Sequence, residues 1–408
     1  MQRIAVAPRN DWQTKVESVG LTYHSPEAMA ETGRTYWDES ACYALTAAEV
    51  DTLEAAANGM QKMCLAAAQH VIDNKLYAEL NILPEAIPLI EWAWNAEPPA
   101  LYGRFDFSWA GADSGQSPKL LEYNADTPTS LLEAAVVQWH WLEEIAETLP
   151  SEHHFLSFSS SAKADQFNSI HERLIAKWKD IAPYLKSPVY FAGTEEPEDV
   201  LTLAYLEDTA QQAGLSTHRI AMLDIGWNEG RNAFLDLEEK QIQSIFKLYP
   251  WESMMAEEFA PHALATYREM QWIEPIWKML LSNKGILPIL WELYPNHANL
   301  LPAYFEAWAG KAHAMRDYVR KPLLGREGAN VTVVRNGVTE VSTEGPYDGP
   351  CVLQALAPEA KFSDAGGAPR YPVLGLWMID QECGGMGIRE SAGRITDNLS
   401  SFVPHYFR

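Results

Sequence analysis

Apolar residues recur at helical spacing in a long stretch that begins near residue 46. Val50, Leu53 and Met60 fall on one side of this stretch if it is a helix, because residues three and four apart share a helix face. Thr46 followed by Glu49 is the capping-box pattern typical of helix starts. We therefore predict a long amphipathic helix here, and a second helix over TSLLEAAVVQWHWLEEIAETL.

Alternating side chains predict a β-hairpin between residues 102 and 124. The strand RFDFSW places Arg104 and Asp106 on one face, and the strand KLLEYN does the same with Glu122 and Asn124, because side chains repeat every two residues. If these strands pair, oxygen donors and a guanidinium converge, which suits a divalent cation such as Mg²⁺ beside substrate phosphates. The alternative is a solvated face on which Arg104 pairs with Glu122.

Helical and strand patterns alternate after about residue 163. FNSIHERLIAKWKDI and LTLAYLEDTAQQAGL have helical spacing, and SPVYFAG and THRIAMLDI have strand character. The acidic stretch TEEPEDV after the first strand is expected to be a loop. This order predicts a small parallel α/β unit. Two stretches rich in aromatic residues and proline, QSIFKLYPWESMM and WIEPIWKMLLSNKGILPILWELYPNHANLL, are expected to be packed connecting elements.

The C-terminal third is rich in Val and Gly, which predicts short antiparallel strands and tight turns. Lys321 precedes a loop at residues 325–330 whose glycines let backbone N–H groups close over an anion; an ordinary hairpin turn is the alternative. Lys284, in SNKGILPILWE, belongs either to a surface helix start or to a phosphate site. Arg389, in GGMGIRES, is expected in a turn between strands, where it can meet a carboxylate.

Composition narrows the function classes. A chain of 408 residues is long for a single core, and 47% hydrophobic residues suffice for packing, so disorder is excluded. The formal net charge is 31 − 55 = −24, and such an acidic surface repels phosphate backbones, so we expect no nucleic-acid partner. Any anionic ligand must therefore be held by particular Lys and Arg residues or by a metal.

Cysteine usage and hydropathy bear on location. Cys42, Cys64, Cys351 and Cys383 lack zinc-site spacing and are expected to be reduced thiols of a cytoplasmic protein. No apolar run approaches the about 20 residues of a membrane span, so none is expected. The N-terminus has no signal-peptide pattern.

Five segments in this order resemble the synthetase module of the glutathionylspermidine synthetase family, a family of ATP-grasp ligases: GRFDF, KLLEYNADTPTSLLEAA, SNKGILPILWE, YVRKPLLGREGANV and GIRES. The resemblance covers nearly the whole chain, residues 12–407, and is closest to short stand-alone members described as acid–amine ligases. It implies an α+β ATP-grasp fold with a small parallel pre-ATP-grasp unit and additional helices. Nothing precedes the module, so the amidase domain of bifunctional members is expected to be missing.

The resemblance implies that ATP phosphorylates a small-molecule or peptide carboxylic acid and that an amine then displaces phosphate, which gives an amide. Two other hypotheses stay open: an ATP-dependent phosphotransferase acting on a small molecule, and a non-catalytic ATP-binding protein. The identities of the acid and the amine and the oligomeric state stay open as well.

The resemblance also implies roles for individual residues. Asp106, Glu122 and Asn124 would hold Mg²⁺, with Arg104 and Arg389 beside the acyl phosphate or the acid. The residues expected around the ATP phosphates, in the lid over them and at the adenine are Lys284, Lys321, Gly325, Arg326, Gly328, Asn330, Gln354 and Leu356.

Further residues are expected to contact the substrates. Thr127 and Thr129 stand where the family places two serines near the acid. Glu198 and Asp199, in TEEPEDV, fall where the family binds its polyamine; a solvated acidic turn is the alternative.

The predicted organisation has three interlocked regions. Residues 1–155 carry the N-terminal helices and the metal-binding hairpin, and residues 156–280 form the α/β unit on the substrate side. Residues 281–408 form the ATP-grasp nucleotide-binding region with its glycine-rich lid, interlocked with residues 100–150. A Ser-rich segment at residues 157–163 suggests the first boundary.

Overall fold

The computed structural model of the protein describes residues 1–149, 163–308, 310 and 314–408. The boundary predicted after residue 155 and the Ser-rich segment before Lys163 lie outside these residues. The helices of the described part are α1 (Trp12–Ser18), α2 (Ala47–Asn74), α3 (Ile87–Ala96), α4 (Gln138–Ile145), α5 (Ile170–Ile181), α6 (Pro197–Gln212), α7 (Trp251–Met255), α8 (Ala260–Thr266), α9 (Met279–Ser282) and α10 (Ile286–Leu293).

The strands of the same residues belong to several sheets of different size. They are β1 (Gln2–Ala5), β2 (Ala41–Leu45), β3 (Tyr102–Ser108), β4 (Lys119–Asn124), β5 (Val189–Gly193), β6 (Thr217–Ala221), β7 (Gly226–Asn228), β8 (Ala233–Leu235), β9 (Ser244–Leu248), β10 (Gln271–Ile273), β11 (Ala303–Phe305), β12 (Tyr318–Pro322), β13 (Thr332–Arg335), β14 (Val338–Ser342), β15 (Cys351–Ala355), β16 (Phe362–Ser363), β17 (Pro369–Ile379), β18 (Glu382–Ser391), β19 (Ser401–Phe402) and β20 (His405–Phe407).

Two antiparallel sheets dominate the architecture. The larger has the order β19-β18-β17-β3-β4, with β16 paired to β17, and the other has the order β11-β15-β12-β13-β14. They confirm the predicted hairpin and the antiparallel C-terminal region. A small sheet, β1-β2-β20, joins the two ends of the chain. Together with the helices, these sheets make an α+β fold.

A parallel sheet with the order β10-β9-β5-β6 confirms the predicted α/β unit. Strands β5 and β9 are buried at every position, as strands covered on both faces are. The prediction that the two aromatic-rich stretches are only packed connections was wrong, because β9 lies within the first and β10 overlaps the start of the second. Burial on both faces removes the alternation by which a strand is recognised in a sequence.

Helix α2 is the predicted long amphipathic helix. Thr46 Oγ1 accepts a hydrogen bond from the Glu49 N–H at 3.1 Å, and Glu49 Oε2 accepts one from the Thr46 N–H at 3.0 Å. The capping box is therefore confirmed. Leu53 and Met60 are fully buried, and α2 packs against α10 and strands β17 and β18.

The second predicted helix begins with a π-helical turn, Glu133–Val137, and continues as α4. Such turns are rare and are found frequently at functional sites. The turn packs against β18 and α5.

Two predictions of local structure were wrong. The stretch TEEPEDV is not a loop, because α6 begins at Pro197 and places Glu198 and Asp199 in its first turn. Proline suits the first helical position, and acidic side chains favour the positive end of a helix. The stretch GGMGIRES is not a turn, because it lies within β18. A Cβ on Gly387 would lie 2.9 Å from Phe402, so close packing explains a glycine there.

The cysteines are all buried and none is in a disulfide, which agrees with the expected reduced thiols. Among the helices of the described residues, none has the length and apolar character needed to cross a membrane.

Candidate active site

A cavity of about 380 Å³ lies where the two antiparallel sheets meet the start of α6. The hairpin of β3 and β4, strands β12 and β18, and the loop after β12 contribute to its walls. Every site residue predicted from the sequence lines this cavity except Asn330, Gln354 and Leu356. The fold thus brings together side chains that are far apart in the sequence.

The hairpin presents its polar side chains to the cavity as one cluster. Arg104 is opposite Asn124 and Asp106 is opposite Glu122 in the strand register, so the predicted shared face is confirmed. Asp106 accepts hydrogen bonds from Arg104 Nε at 2.7 Å and Nη2 at 3.0 Å, and from Asn124 Nδ2 at 3.1 Å. Arg104 therefore pairs with the carboxylate on its own strand rather than with Glu122.

Two lysines from other elements complete this cluster. Lys284, between α9 and α10, lies 2.9 Å from Glu122 Oε2 and donates to the Gly325 carbonyl at 2.5 Å. Lys321, in β12, donates to Gln354 Oε1 at 2.8 Å and to the Leu121 carbonyl at 3.1 Å. Both ammonium groups are mostly shielded from solvent.

The electrostatics of this cluster keep its carboxylate ionised. Burial raises the pKa of Glu122, but the charges of Lys284 and Lys321 outweigh it and lower the pKa to about 2. Burial lowers the pKa of Lys321 to about 8, against the opposing effect of Glu122. Near neutral pH, three cations face two carboxylates, so this end of the cavity is positive in a chain of net charge −24.

Arg104 is also held by contacts that the sequence did not predict. Its Nη1 donates to the Thr129 carbonyl at 2.7 Å, and its guanidinium carbon lies 5.6 Å from the centroid of the Trp377 ring. A Cβ on Gly375 would lie 2.8 Å from Arg104 Cδ, so a glycine is required there. These contacts fix the direction of the guanidinium.

The glycine-containing loop after β12 lies over the cavity and contacts its other side. Arg326 Nη1 donates to Thr127 Oγ1 at 2.8 Å, and its Nη2 donates to Glu252 Oε1 at 2.8 Å. Gly328 has φ of 69°, a left-handed conformation that favours glycine. A Cβ there would lie 2.5 Å from the Thr396 carbonyl oxygen. This loop, residues 325–330, is called the lid below.

We expect Gly328→Ala to displace the lid, because the added methyl group both strains the backbone and collides with Thr396. If the lid covers ATP and a reactive intermediate, as the family resemblance implies, ADP release should rise relative to amide formed, and KM for ATP should rise. Both products are measured by mass spectrometry. Gly337→Ala is the matched control, since φ is 76° there and no atom lies within 4 Å of the added Cβ. Equal product ratios in the two variants would contradict the role of the lid.

The acidic start of α6 borders the cavity next to the predicted acid site. Thr129 Oγ1 donates to Glu198 Oε2 at 3.3 Å. Asp199 accepts a hydrogen bond from Thr194 Oγ1 at 2.7 Å, and burial raises its pKa. Two acidic side chains at the cavity wall make a suitable place for a cation.

The three predicted residues outside the cavity wall have other contacts. Gln354 is 2% exposed, and its Nε2 donates to the Leu120 carbonyl at 3.0 Å while its Oε1 accepts from Lys321. Asn330 Oδ1 accepts from the Tyr347 N–H at 2.9 Å. The Leu356 N–H donates to the Asp317 carbonyl at 3.3 Å. In this structure Gln354 positions Lys321.

Arg389 reaches the cavity from β18. Its Nη2 donates to the Asp397 carbonyl at 2.6 Å, and its guanidinium carbon lies 5.7 Å from the centroid of the Tyr36 ring. Tyr36 is fully buried behind the wall. No pattern in the sequence connects Tyr36 with the site.

A buried ion pair behind residues 127–130 is another feature that sequence reasoning missed. Lys247 Nζ donates to Asp126 Oδ1 at 2.8 Å, and both side chains are 0% exposed. Asp126 Oδ2 accepts from the Trp251 N–H at 3.0 Å. Asp126 lies in the NADTPTS motif, but Lys247 lies in the aromatic-rich stretch, which carried no signal of a partner.

A second group of possible metal ligands lies outside the cavity. Ligand atoms of His218, Asp236 and Glu238 lie within 4.8 Å of one another. Asp236 already accepts hydrogen bonds from the Tyr190 hydroxyl at 2.8 Å and from the N–H groups of Glu238 and Lys240. These bonds account for the position of Asp236, and we assign the group no metal.

Comparison with known proteins defines the class. The family described as glutathionylspermidine synthase preATP-grasp matches residues 3–408, and the chain belongs to this family. The chain is 38% identical over 413 residues to a Haemophilus influenzae protein with the provisional name acid–amine ligase, and 100% of both chains is covered. These names support an enzyme of the ligase class.

More distant relatives agree with this class. Trypanothione synthetase from Crithidia fasciculata is 27% identical over 359 residues, which cover 83% of this chain and 52% of that protein. The chain therefore spans about half the length of that relative. A glutathione synthetase-like effector from Globodera pallida, in its apo form, aligns with a TM-score of 0.55 at 10% identity over 98% of this chain and 96% of the effector chain. At this identity the likeness concerns the fold alone.

Proposed function

We propose that the protein is an ATP- and Mg²⁺-dependent ligase that joins a small or peptide carboxylic acid to an amine through an acyl phosphate. One observation carries the proposal. Oxygen donors on one hairpin face and three cations from separate elements converge on one cavity in a member of this ligase family. Phosphoryl transfer depends on positioning and charge neutralisation, which such a cluster supplies.

The donor set fits Mg²⁺, which prefers carboxylate and amide oxygens. Asp106 and Glu122 would hold the ion, and Asn124 would join them once its amide turns, because its nitrogen faces Asp106 here. Bound Mg²⁺ neutralises charge on the phosphates during transfer. Lys284 and Glu122 are paired in this structure, so the metal would share Glu122 with that lysine.

The cations of the site have separate tasks. Lys284 and Lys321 would bind the ATP phosphates, which would satisfy their partly desolvated charges. Arg104, locked by Asp106 and Trp377, would hold the acyl phosphate in position. Gln354 and Leu356 remain the proposed adenine contacts, next to the strand that carries Lys321.

The lid and the threonines would act on the acid. Arg326 closes the lid onto Thr127, so water is kept from the acyl phosphate before the amine arrives. The proposed amine site is the acidic start of α6, where Glu198 accepts a hydrogen bond from Thr129. The amine nitrogen would then lie near the loop that holds the acid.

Product analysis tests the proposal. The protein is incubated with ATP, Mg²⁺ and mixed carboxylic acids and amines, and ADP and new masses are followed. We expect ADP release that requires both an acid and an amine, with an amide as product. A stable phosphorylated product without an amide would favour the phosphotransferase, and ATP binding without turnover would favour a non-catalytic protein.

The pKa of Lys321 predicts how ATP use depends on pH. Because burial lowers this pKa to about 8, kcat/KM for ATP should fall as the pH rises above 8 and the ammonium loses its charge. Between about 8 and 10.5 the unfolded chain binds more protons at this residue, so its titration there favours folding. A loss of activity caused by deprotonation of Lys321 therefore does not result from unfolding. Lys321→Arg should move the decline to higher pH; an unchanged profile would contradict the assignment.

A further inference from the structure

A buried carboxyl group behind the cavity wall is not used by the proposed function. Glu133 is 4% exposed and belongs to the π-helical turn that follows the TPTS segment. Tyr36, which is 0% exposed, donates a hydrogen bond to Glu133 Oε1 at 2.6 Å. The Tyr36 hydroxyl also lies 3.1 Å from Ser130 Oγ. Ser130 lines the cavity, so a continuous chain of polar atoms runs from the cavity to Glu133.

The proton positions in this chain follow from counting donors. Tyr36 has one hydroxyl proton, and this proton forms the hydrogen bond to Glu133. Ser130 must therefore donate to the Tyr36 oxygen, which leaves the lone pairs of Ser130 free to accept a proton from a group in the cavity. All the hydrogen bonds then point from the cavity towards Glu133. In such an alignment a proton can move from the cavity to Glu133, because each hydroxyl group accepts one proton and donates its own proton to the next group.

The environment of Glu133 suits a proton acceptor. Burial raises its pKa to about 7, while the Tyr36 hydrogen bond opposes the shift. The charges of Glu198 and Arg389 act on it in opposite directions, the first raising the pKa and the second lowering it. Tyr23 packs on Tyr36 with ring centroids 5.4 Å apart, so the phenol is confined from that side.

Ser130 shows a further sign of a functional position. Its φ is 68°, a left-handed conformation that is uncommon for serine. Strained conformations of this kind cluster at active sites. Thr129, the preceding residue, contacts Glu198, so the outer end of the chain is next to the proposed amine site.

We propose that Ser130, Tyr36 and Glu133 form a relay that removes one proton from the amine substrate. The inference rests on the proposed ligase function. The amine arrives as an ammonium ion, and one proton passes through Ser130 and Tyr36 to the Glu133 carboxylate. The free amine then attacks the acyl carbon, the C–N bond forms, and the C–O bond to phosphate breaks. The departing phosphate takes the second nitrogen proton, so charge and protons balance.

An infrared measurement tests the acceptor without any substrate. The band of a protonated carboxyl group should appear as the pH falls through about 7 and be absent in Glu133→Gln. Glu172→Gln, at an exposed position of α5, is the control and should keep the band. A wild-type spectrum without such a band near neutral pH would overturn the proposal whether or not the protein is a ligase.

A comparison of two nucleophiles tests the relay during turnover. Glutathione and ATP are supplied with either spermidine, which is an ammonium ion in water, or hydroxylamine, which is largely uncharged at neutral pH. Glu133→Gln should lower kcat/KM for spermidine about 100-fold and abolish its rise with pH near 7. Hydroxamate formation should stay near the wild-type rate, because hydroxylamine needs no proton removal before attack.

Two further variants separate the relay from a structural role. Tyr36→Phe keeps the ring packing but breaks the chain, and Ser130→Gly removes the hydroxyl while suiting φ of 68°. Both variants should lower kcat/KM for spermidine selectively, as Glu133→Gln does. Combined with Glu133→Gln, neither should lower kcat/KM any further. Equal losses with both nucleophiles, or additive losses, would overturn the relay. Wild-type protein that makes neither product would refute glutathione ligation, and the infrared band would still decide whether Glu133 is the acceptor.

Discussion

Glu122→Gln should lower acid- and amine-dependent ADP formation by about 100-fold to 1,000-fold, the loss typical of removing one charge-stabilising group. The substitution keeps the side-chain shape but removes the charge that Lys284 and Lys321 face. Two effects then combine. The proposed Mg²⁺ site loses the negative charge of one ligand, because an amide oxygen replaces the carboxylate, and the two buried lysines repel each other without a carboxylate between them. The rate is measured from ADP release at the Mg²⁺ concentration that just saturates the wild-type protein.

Glu79→Gln serves as the control for this variant, since Glu79 is an exposed carboxylate that does not line the cavity. Thermal unfolding of both variants shows whether the fold is kept. If Glu122→Gln turns over ATP at the wild-type rate while folded, the metal assignment is wrong. Excess Mg²⁺ should restore part of the lost rate if metal binding is the main defect.

The largest loss of stability is expected at the buried pair of Asp126 and Lys247. Asp126→Asn removes the carboxylate that is directly paired with an ammonium group at 0% exposure, and removing one partner of a buried pair costs about 3–5 kcal/mol. Burial already lowers the pKa of Lys247 against the effect of Asp126, and the variant should lower it further. The free energy of unfolding is measured by denaturant titration.

Asp380→Asn is the matched control for this prediction. Asp380 pairs with Lys177 at 2.6 Å but is 61% exposed, and surface pairs contribute about 0–1 kcal/mol. The double variant Asp126→Leu with Lys247→Met should regain stability relative to Asp126→Asn, because no charge is left buried. Equal midpoints for Asp126→Asn and Asp380→Asn would contradict the importance of the buried pair.

The sequence predicted those parts of the site that depend on local periodicity. The two-residue repeat of a strand placed Glu122 with Asn124 and Arg104 with Asp106, and the structure pairs the strands in that register. The capping box located the start of α2 for the same reason, since both of its partners lie within one helical turn. The metal and nucleotide roles of these residues stay predictions.

Contacts between distant segments were beyond sequence reasoning. Asp126 and Lys247 are 121 positions apart, and Tyr36 and Glu133 are 97 apart. No local pattern distinguishes such a lysine or tyrosine from an ordinary core residue. The contact of Gln354 with Lys321 could not be predicted either, because β12 and β15 become neighbours only in the folded sheet.

The misplaced start of α6 has a different cause. Four acidic residues near a proline suggest a solvated loop by composition, yet the same composition favours the first turn of a helix. The sequence alone does not decide between these outcomes. The helix fixes Glu198 towards Thr129, which a loop would not do.

Arg326, in the lid, donates hydrogen bonds to two separate parts of the protein. Thr127 is a proposed contact of the acid, and Glu252 belongs to α7 beside the parallel sheet. If the lid opens for nucleotide exchange as proposed, both hydrogen bonds of Arg326 must break, and their loss also exposes the Thr127 hydroxyl that the acid would meet. ADP departure and entry of the next acid should consequently depend on the same movement of Arg326.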